Sequence, residues 1–570
     1  MRRAALIALV AVAALAAPAA AWAHAALLRT VPQASGTVNT PPKQLLLTYS
    51  EPVEPRFAIV SVTDAAGRQQ TAGPPHRSPT DPDTLVVPLK RTAEGWYLVY
   101  WRVISVDGRP VRGAYTFAVG PNAGPAPEFV IPSISETAAT PKLIVFRWLT
   151  FLFVMASIGL LALRLAIARP VVRRVRGTDL RHVSIAFLVA SVLGLIVTPV
   201  YVLLATAEFA LRSFFSLGAL LPLVHASAFG RGFIDLEICF ALFVVAGAIA
   251  IAVDRPEREH RSVAELLAFT GAWLAAAATL LVPGAAGHPG VTSPRGLALA
   301  LDWVHLAAGS IWIGGLAGLL VLWRSLPVAR RVAGLVVAVP RFSAVALVAV
   351  IALAASGTWA SILHLPTVQT LWDTSYGKAI LVKIALLAVA VALASVNLLR
   401  TKPALHADGT LASGAAALLR KLVAGEVVIV AGAILVAAVL PSLAPPSKAL
   451  AAVGGASAHV GPGPVTESVV KNGYKLDIRV SPNRAAVPNS FSVHVTRNNR
   501  PVRGADVVMR FTMLDMEMGQ QEYRLTETSP GTYTHAAPAL VMVGHWGLGL
   551  DVAPPGHTPV DILVVDKANG

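Results

Sequence analysis

Between residues 142 and 441 the chain carries eight apolar runs, near 142–168, 183–207, 233–253, 264–283, 297–323, 341–363, 378–400 and 420–441. Crossing a bilayer takes about 20 residues of helix, and each run is long enough. A backbone inside hydrocarbon must satisfy its own hydrogen bonds, so runs of this kind are constrained to become helices packed as a bundle. Composition agrees. Of the 570 residues 55% are hydrophobic and 14% charged, with a mean hydropathy of +0.64, whereas a soluble chain carries roughly a quarter charged residues.

The formal net charge of +16 raises nucleic acid as a partner, but the basic residues have no basic stripe or recognition motif around them, so none is expected. They collect instead in alternate loops: "RPVVRRVRGTDLRH", "DRPEREHR", "RSLPVARR" and "RTKPALH" with "LRK". The opposite loops offer only Arg212, Arg231, Arg295 and Lys378. Basic loops stay in the cytoplasm, so this asymmetry predicts that both ends of the bundle, and the chain on either side of it, face outward. The run 211–229 contains Pro222 and is short; it is expected to be interfacial or re-entrant, because a ninth span would reverse the charge pattern.

The rest of the chain is patterned as strands. Residues 1–23 have a basic start (Arg2, Arg3), a short apolar stretch and the small-x-small triplet Ala21-Trp22-Ala23, the layout of a signal peptide. Residues 24–121 hold short β-branched and aromatic runs such as "QLLLTYSEPV" and "GWYLVYWRVIS", separated by Pro, Gly and Asp. A Pro-rich linker (122–141) precedes the membrane region (142–441), and a Pro/Gly/Ala linker (442–467) follows it. Residues 468–570 return to strand alternation in "YKLDIRVSP", "SFSVHVTR" and "ADVVMRFTML". The expected architecture is an all-α eight-helix transmembrane bundle flanked by two exported all-β, Ig-like sandwiches, in an inner (plasma) membrane with the lipid bilayer as its surround. The one cysteine, Cys239, lies in an apolar run, so the exported domains fold without internal disulfides.

Cleavage after Ala23 would make His24 the first residue, and an amine plus an imidazole on one residue suits Cu(II). The stretch "HAALLRTVPQASGTVNTPPKQLLLTYSEPV" followed by "WRVISVDGRPVRGAYTFAVG" resembles the CopC family of periplasmic copper-binding proteins across 24–121. The resemblance implies Cu(II) held by His24 and Asp107. The family's second histidine position is Arg109 here, which has no lone pair to give, so the site is expected to be weaker or to use a substitute. Glu51, which fits a carboxylate the family sometimes places near the metal, is the first candidate and His76 the second.

In "LALALDWVHLAAGSIWIGGLAGLL", Asp302, His305 and Trp312 fall near one helix face. Ionisable groups in a span usually face a partner or a water-filled path; the plainer alternative is that Asp302 and His305 pair at a helix end. The stretch resembles the CopD copper-resistance membrane proteins, as do "SGTW" (356–359) and "TSYGKAILVKIALL" (374–387). That resemblance covers about 142–441 and implies movement of copper, with His288 and His305 as ligands; Asp302 would orient the ring or neutralise the ion. Glu208, His225, Glu237, Cys239, Lys383 and Glu426 are further polar groups in or beside spans. Cys239 is either a soft Cu(I) ligand or a small apolar filler.

Five of the seven methionines, Met509, Met513, Met516, Met518 and Met542, fall in the last domain. Thioethers select Cu(I), so Met513, Met516 and Met518 are candidate ligands, with His535 or His545 beside them, against a role in core packing; Met509 reads as core. With "GTYTH" and "MVGHWGLGL" the region resembles the YtkA/FixH-like β-domains. The expected function is capture of copper outside and import across the inner membrane: Cu(II) at the N-terminal domain, Cu(I) in the membrane and C-terminal domains. The alternative is a membrane chaperone that passes copper to an external cuproenzyme such as an oxidase, with periplasmic copper chaperones as further partners. No P-loop or aspartyl-phosphate signature marks a primary pump, no C-x-x-C-H marks a c-type haem, and the chain is not read as an enzyme.

Overall fold

The computed structural model describes residues 27–34, 36–49, 52–105, 110–123, 140–286, 294–365, 368, 370–373, 375–406, 410–443, 458–485, 487–514, 521–541 and 544–569. They fall into a helical unit and a β-rich unit.

The helical unit contains α1 (Pro141–Ala162), α2 (Arg181–Phe209), α3 (Leu217–Ala226), α4 (Ala228–Val253), α5 (Val263–Ala286), α6 (Arg295–Ser325), α7 (Arg331–His364), α8 (Ser375–Val396) and α9 (Thr410–Val439). Among the described residues eight helices are long and apolar enough to cross a membrane, and α3, with ten residues, is not one of them. This agrees with the span count read from hydropathy. Helices α7 and α9 begin ten residues before the runs expected at 341 and 420. The added residues are themselves largely apolar, so the expected runs were set too short at these two ends.

Glycine sets the crossing of α1 and α6. A Cβ on Gly159 of α1 would collide with the Ser310 carbonyl of α6, and one on Gly314 with the Ala156 carbonyl and Gly159. Close approach of small residues is how helices gain packing energy in lipid. The glycines of "SIWIGGL" therefore serve packing, and Trp312 beside them is 4% exposed in the bundle core.

The basic-loop end of the unit is tied by charge. Helix α1 continues through a π-helical segment, Leu163–Ile167, into Arg169–Arg174. Arg164 Nη1 lies 2.5 Å from Asp254 Oδ2, Arg169 Nη1 3.4 Å from Asp254 Oδ1, and Arg169 Nη2 3.6 Å from Glu265 Oε1. All four residues are buried. Glu265 also accepts the backbone N–H groups of Arg255 and Ser262 at 2.7 Å each. The acidic residues of "DRPEREHR" and the turn after it thus neutralise buried guanidinium groups and join the ends of α1, α4 and α5.

The β-rich unit holds two sets of strands. The first comprises β1 (Leu27–Val31), β2 (Thr37–Val38), β3 (Gln44–Tyr49), β4 (Ile59–Asp64), β5 (His76–Arg77), β6 (Thr84–Pro88), β7 (Gly95–Ile104) and β8 (Pro110–Val119). They form two four-stranded sheets, ordered β1-β3-β6-β5 and β2-β8-β7-β4. Alternation buries Leu45, Leu47 and Tyr49 from one sheet and Val99, Trp101 and Val103 from the other, and Tyr49 meets Trp101 edge-on at 5.7 Å.

The second set comprises β9 (Ala458–Val460), β10 (Val465–Lys471), β11 (Tyr474–Ser481), β12 (Asn489–Arg497), β13 (Arg500–Pro501), β14 (Asp506–Met513), β15 (Gln521–Ser529), β16 (Thr532–Ala537), β17 (Gly544–Ala553) and β18 (Val560–Ala568). Asn472 and Gly473, at φ 54° and 80°, make the two-residue hairpin between β10 and β11. Here the sheets are joined rather than separate. Strand β15 pairs β14 through residues 521–525 and β16 through 526–529, so one ten-stranded sheet folds over on itself.

Candidate metal sites

The membrane candidate is built on α6. Asp302 and His305 are both half-buried there, and they face different neighbours. Asp302 faces the last turn of α5, where a Cβ on Gly284 would come within 2.7 Å of Asp302 Oδ2; the missing side chain makes room for the carboxylate. His305 faces α7. Its Nδ1 lies 3.0 Å from Ser356 Oγ, and a Cβ on Gly357 would reach 3.4 Å from its Cε1. "SGTW" is thus the surface against which the ring rests. Among the described residues no hydrogen bond or ion pair joins Asp302 to His305, and both lie well inside a helix that starts at Arg295, so they are not a capping pair.

The hydrogen bonds fix the tautomer of His305. Ser356 has one hydroxyl proton, and it goes to the Ala352 carbonyl at 2.6 Å. Toward His305 the hydroxyl can therefore only accept, which makes Nδ1 the protonated nitrogen. The Leu353 carbonyl, which can only accept, also takes a hydrogen bond from the ring. Nε2 is left with its lone pair, the state in which imidazole ligates a metal while its other N–H is held by a neighbouring oxygen. Lys383 of α8 lies within electrostatic reach of the ring, so the site has a carboxylate on one side and an ammonium on another.

Other polar groups flagged in the spans have separate surroundings. Glu208 closes the end of α2 onto α1, accepting from the Thr140 hydroxyl and lying 3.8 Å from Lys142 Nζ. Cys239 is a free, half-buried thiol. Glu237 keeps one buried carboxylate oxygen without a hydrogen-bond partner. Glu426, 2% exposed, accepts from Asn397 Nδ2 at 2.7 Å. His225 is the last-turn residue of α3. Among the described residues no three or more His, Cys, Asp or Glu come together to hold a metal. His288 lies outside the described residues; α5, which precedes it, ends at Ala286, two residues past Gly284.

The N-terminal candidates His24, Glu51 and Asp107, with Arg109, also lie outside the described residues. The backbone that flanks them is well anchored. Leu27 pairs with Tyr49, Val53 bridges Ser105, and the Glu54 N–H donates to the Ile104 carbonyl at 2.7 Å. His76 sits on the edge strand β5, exposed.

In the C-terminal domain β14 buries Met509 and Met513, at 0% and 1% exposure, with Phe511 between them. Met513 lies opposite Trp546 of β17, so the thioether of Met513 is enclosed in the core as that of Met509 is. Met516, Met518 and Met542 lie outside the described residues. His535 stacks at 4.9 Å on Tyr523, and burial lowers its pKa. The same end of the sandwich as Met513 holds two buried polar residues that sequence reasoning passed over. Asn483 Nδ2 donates to Asp566 Oδ1 at 2.9 Å and to the Gly463 carbonyl at 2.8 Å. Burial pushes the Asp566 carboxyl up to about 6, opposed by the Asn483 bond, its backbone bond and the nearby His545.

Comparison with known proteins follows the same three regions. The family model for the CopC domain matches residues 27–120, that for copper resistance protein D (CopD) matches 336–440, and that for YtkA-like domains matches 468–551. The CopD match begins after α6, so Asp302 and His305 lie outside it. The copper transport protein CutJ of Bacillus subtilis (strain 168) is 24% identical over 544 residues, 93% of each chain. Protein YobA of Escherichia coli (strain K12) is 37% identical over 99 residues, 17% of this chain and 80% of that one. Copper resistance protein C of Escherichia coli is 34% identical over 106 residues, 17% of this chain and 83% of its own. With a CopC domain, a CopD domain and a YtkA-like domain following one another along a multi-pass membrane protein, the chain belongs to the CopC–CopD family of copper transport and resistance proteins.

Proposed function

We propose that this protein captures copper outside the cytoplasm and imports it through the helical unit. The observation that carries the reading is the His305 ring, set inside a span with Nδ1–H tied to Ser356 and Nε2 left basic. A neutral imidazole is a good copper ligand. The Asp302 carboxylate one turn away offsets the charge of an arriving cation, which would otherwise cost a few kcal/mol or more in hydrocarbon. His288, two residues beyond the end of α5, extends this entrance outward.

The soluble domains act as the capturing arms. His24 and Asp107 hold Cu(II), with Glu51 as the substitute for the ligand lost at Arg109. Met516 and Met518 hold Cu(I), with Met513 as the buried end of that cluster. The basic loops support an orientation with both β domains outside an inner (plasma) membrane.

The test is intracellular copper in cells expressing the wild-type chain, His305→Ala, or neither. Import predicts that deletion lowers intracellular copper and that His305→Ala lowers it as far while inserting normally, because the substitution makes the span more apolar. Unchanged copper on deletion, together with loss of an external cuproenzyme's activity, would replace import with delivery. Normal accumulation by a correctly inserted His305→Ala chain would move the entrance elsewhere, first to the loop around His225.

A further inference from the structure

A second polar site lies on α9 and the end of α8, away from the α6–α7 pair that holds the His305 ring. Glu426 sits midway along α9 and is 2% exposed. Its partner is Asn397, whose Nδ2 donates to Glu426 Oε1 at 2.7 Å. Asn397 opens a π-helical segment, Asn397–Thr401, that continues α8. A π turn inside an α-helix is often found at a functional site. Two more oxygens of this segment, Asn397 Oδ1 and Thr401 Oγ1, are buried without a hydrogen-bond partner, and Thr401 is 1% exposed.

Among the described residues no ammonium or guanidinium forms a hydrogen bond or ion pair with Glu426. The charged groups on the helices around it are engaged elsewhere or turned outward. Arg147 of α1 donates to Tyr201 and to the Ala438 carbonyl. Arg341 of α7 donates to the Val337 carbonyl. Arg420 of α9 stacks over Trp323 of α6, with Arg331 of α7 beside it on the same ring. Lys383 of α8 lies within electrostatic reach of His305, Arg400 and Lys421 are exposed, and Lys402 is half-buried. An isolated carboxylate in such surroundings is too costly to persist; it takes a proton or a cation. The donors here are all oxygen, which disfavours Cu(I). The geometry supplies one amide N–H for one carboxyl oxygen and leaves acceptors free nearby, a set that suits a neutral carboxylic acid, whose other oxygen carries a proton to donate.

We propose that Glu426 and Asn397 form a proton-binding station of the helical unit, loaded when the interior holds no copper and unloaded as copper passes. The coupling to copper rests on the import reading above; the station itself does not. A copper cation in the low-dielectric interior repels a second positive charge. The Glu426 O–H bond then breaks, its proton leaves to water and the electron pair stays on the carboxylate, which offsets the charge of the ion. When copper has gone, the carboxylate takes a proton back. The proton leaves to the side from which copper enters and is retaken from the side to which copper goes, so each ion that enters moves one proton the opposite way and the vesicle interior turns alkaline; no oxidant or reductant is needed.

The experiment uses the full-length chain in vesicles that contain a copper chelator and a pH indicator, together with infrared spectra of the same protein. Copper entry should be accompanied by a proton signal. In Glu426→Gln, which stays neutral, that signal should fall to the level of protein-free vesicles. The infrared band of a protonated carboxylic acid should be present without copper, decrease on adding copper and be missing in Glu426→Gln; Asn397→Leu, which removes only the hydrogen bond, should shift the band's frequency. Copper entry by the wild type without a proton signal, or an unchanged signal in Glu426→Gln, overturns the coupling. If the wild type moves no copper, the import reading fails by itself, and the band still decides the station: its loss in Glu426→Gln, or its shift in Asn397→Leu should that variant alone fold, supports it, and a spectrum unchanged by either variant overturns it.

Discussion

Replacing Ser356 with alanine tests the geometry of the membrane site most directly, because it removes one oxygen and leaves the His305 ring. In the native arrangement the Ser356 hydroxyl accepts from Nδ1 at 3.0 Å while donating to the Ala352 carbonyl at 2.6 Å. Without it the Nδ1–H loses this acceptor, and the Ala352 carbonyl still has its helical bond. An incompletely satisfied buried donor costs about 1–3 kcal/mol. Loss of the group that orients a ligating histidine typically weakens metal binding by about 10–100-fold. The expected result is a rise of about that size in the copper concentration giving half-maximal accumulation in cells, with little change in membrane yield. Ser356→Thr keeps the hydroxyl and should restore most of the loss. Nitrogen NMR of histidine-labelled protein reads the tautomer independently: Nδ1–H in the wild type and in Ser356→Thr, a mixture in Ser356→Ala. Wild-type copper dependence in Ser356→Ala, or an Nε2–H tautomer in the native protein, would refute the argument that this hydroxyl prepares Nε2.

Four other expectations follow from individual residues. Arg109→His should tighten Cu(II) binding by the N-terminal domain, measured by competition titration, and equal affinity would remove the account of Arg109 as a lost ligand. Changing Met513, Met516 and Met518 to leucine should abolish Cu(I) binding by the C-terminal domain without unfolding it; undiminished binding would leave the three as packing. Asp254→Ala strands the guanidinium groups of Arg164 and Arg169 and should cost about 3–5 kcal/mol, seen as a lower melting temperature in detergent. The raised pKa of Asp566 means the folded C-terminal domain holds that proton more tightly than the unfolded chain. Its stability should therefore rise as pH falls from above about 6 to about 4, by about 3 kcal/mol at most, and Asp566→Asn should flatten the profile.

How much of this was legible beforehand differs sharply between the layers of the structure. The eight spans, the ten-residue helix at 217–226 excluded from them, and the strands on either side were readable because hydropathy, charge and period-two alternation are local properties. Helix ends were less so: residues 331–340 and 410–419 are helical and largely apolar, and the runs read from hydropathy start ten residues too late. The histidine and aspartate of α6 were also visible, since an ionisable residue in an apolar run is conspicuous wherever its neighbours lie. What surrounds them was not. Ser356 is 51 residues from His305, and Gly284 reaches Asp302 from another helix. Asn397 meets Glu426 across a gap of 29 residues. No periodicity encodes such contacts, because they depend on which helix faces pack and at what depth.

The same division runs through the β domains. Alternation placed Met509 in the core but could not say that Met513, at the end of the same strand, is enclosed as fully, since that depends on Trp546 of β17 closing over it. Nor could it foresee that β15 would pair on both sides of the fold, which turns two expected sheets into one. By itself the sequence determined what must be buried, what must span and which residue types can bind copper, because each of those follows from the solvation of individual side chains. The tertiary structure alone decided which nitrogen of His305 keeps its lone pair, that Glu426 has no cation paired with it among the described residues, and which glycines let helices touch, because each of those is a property of two chain segments brought together.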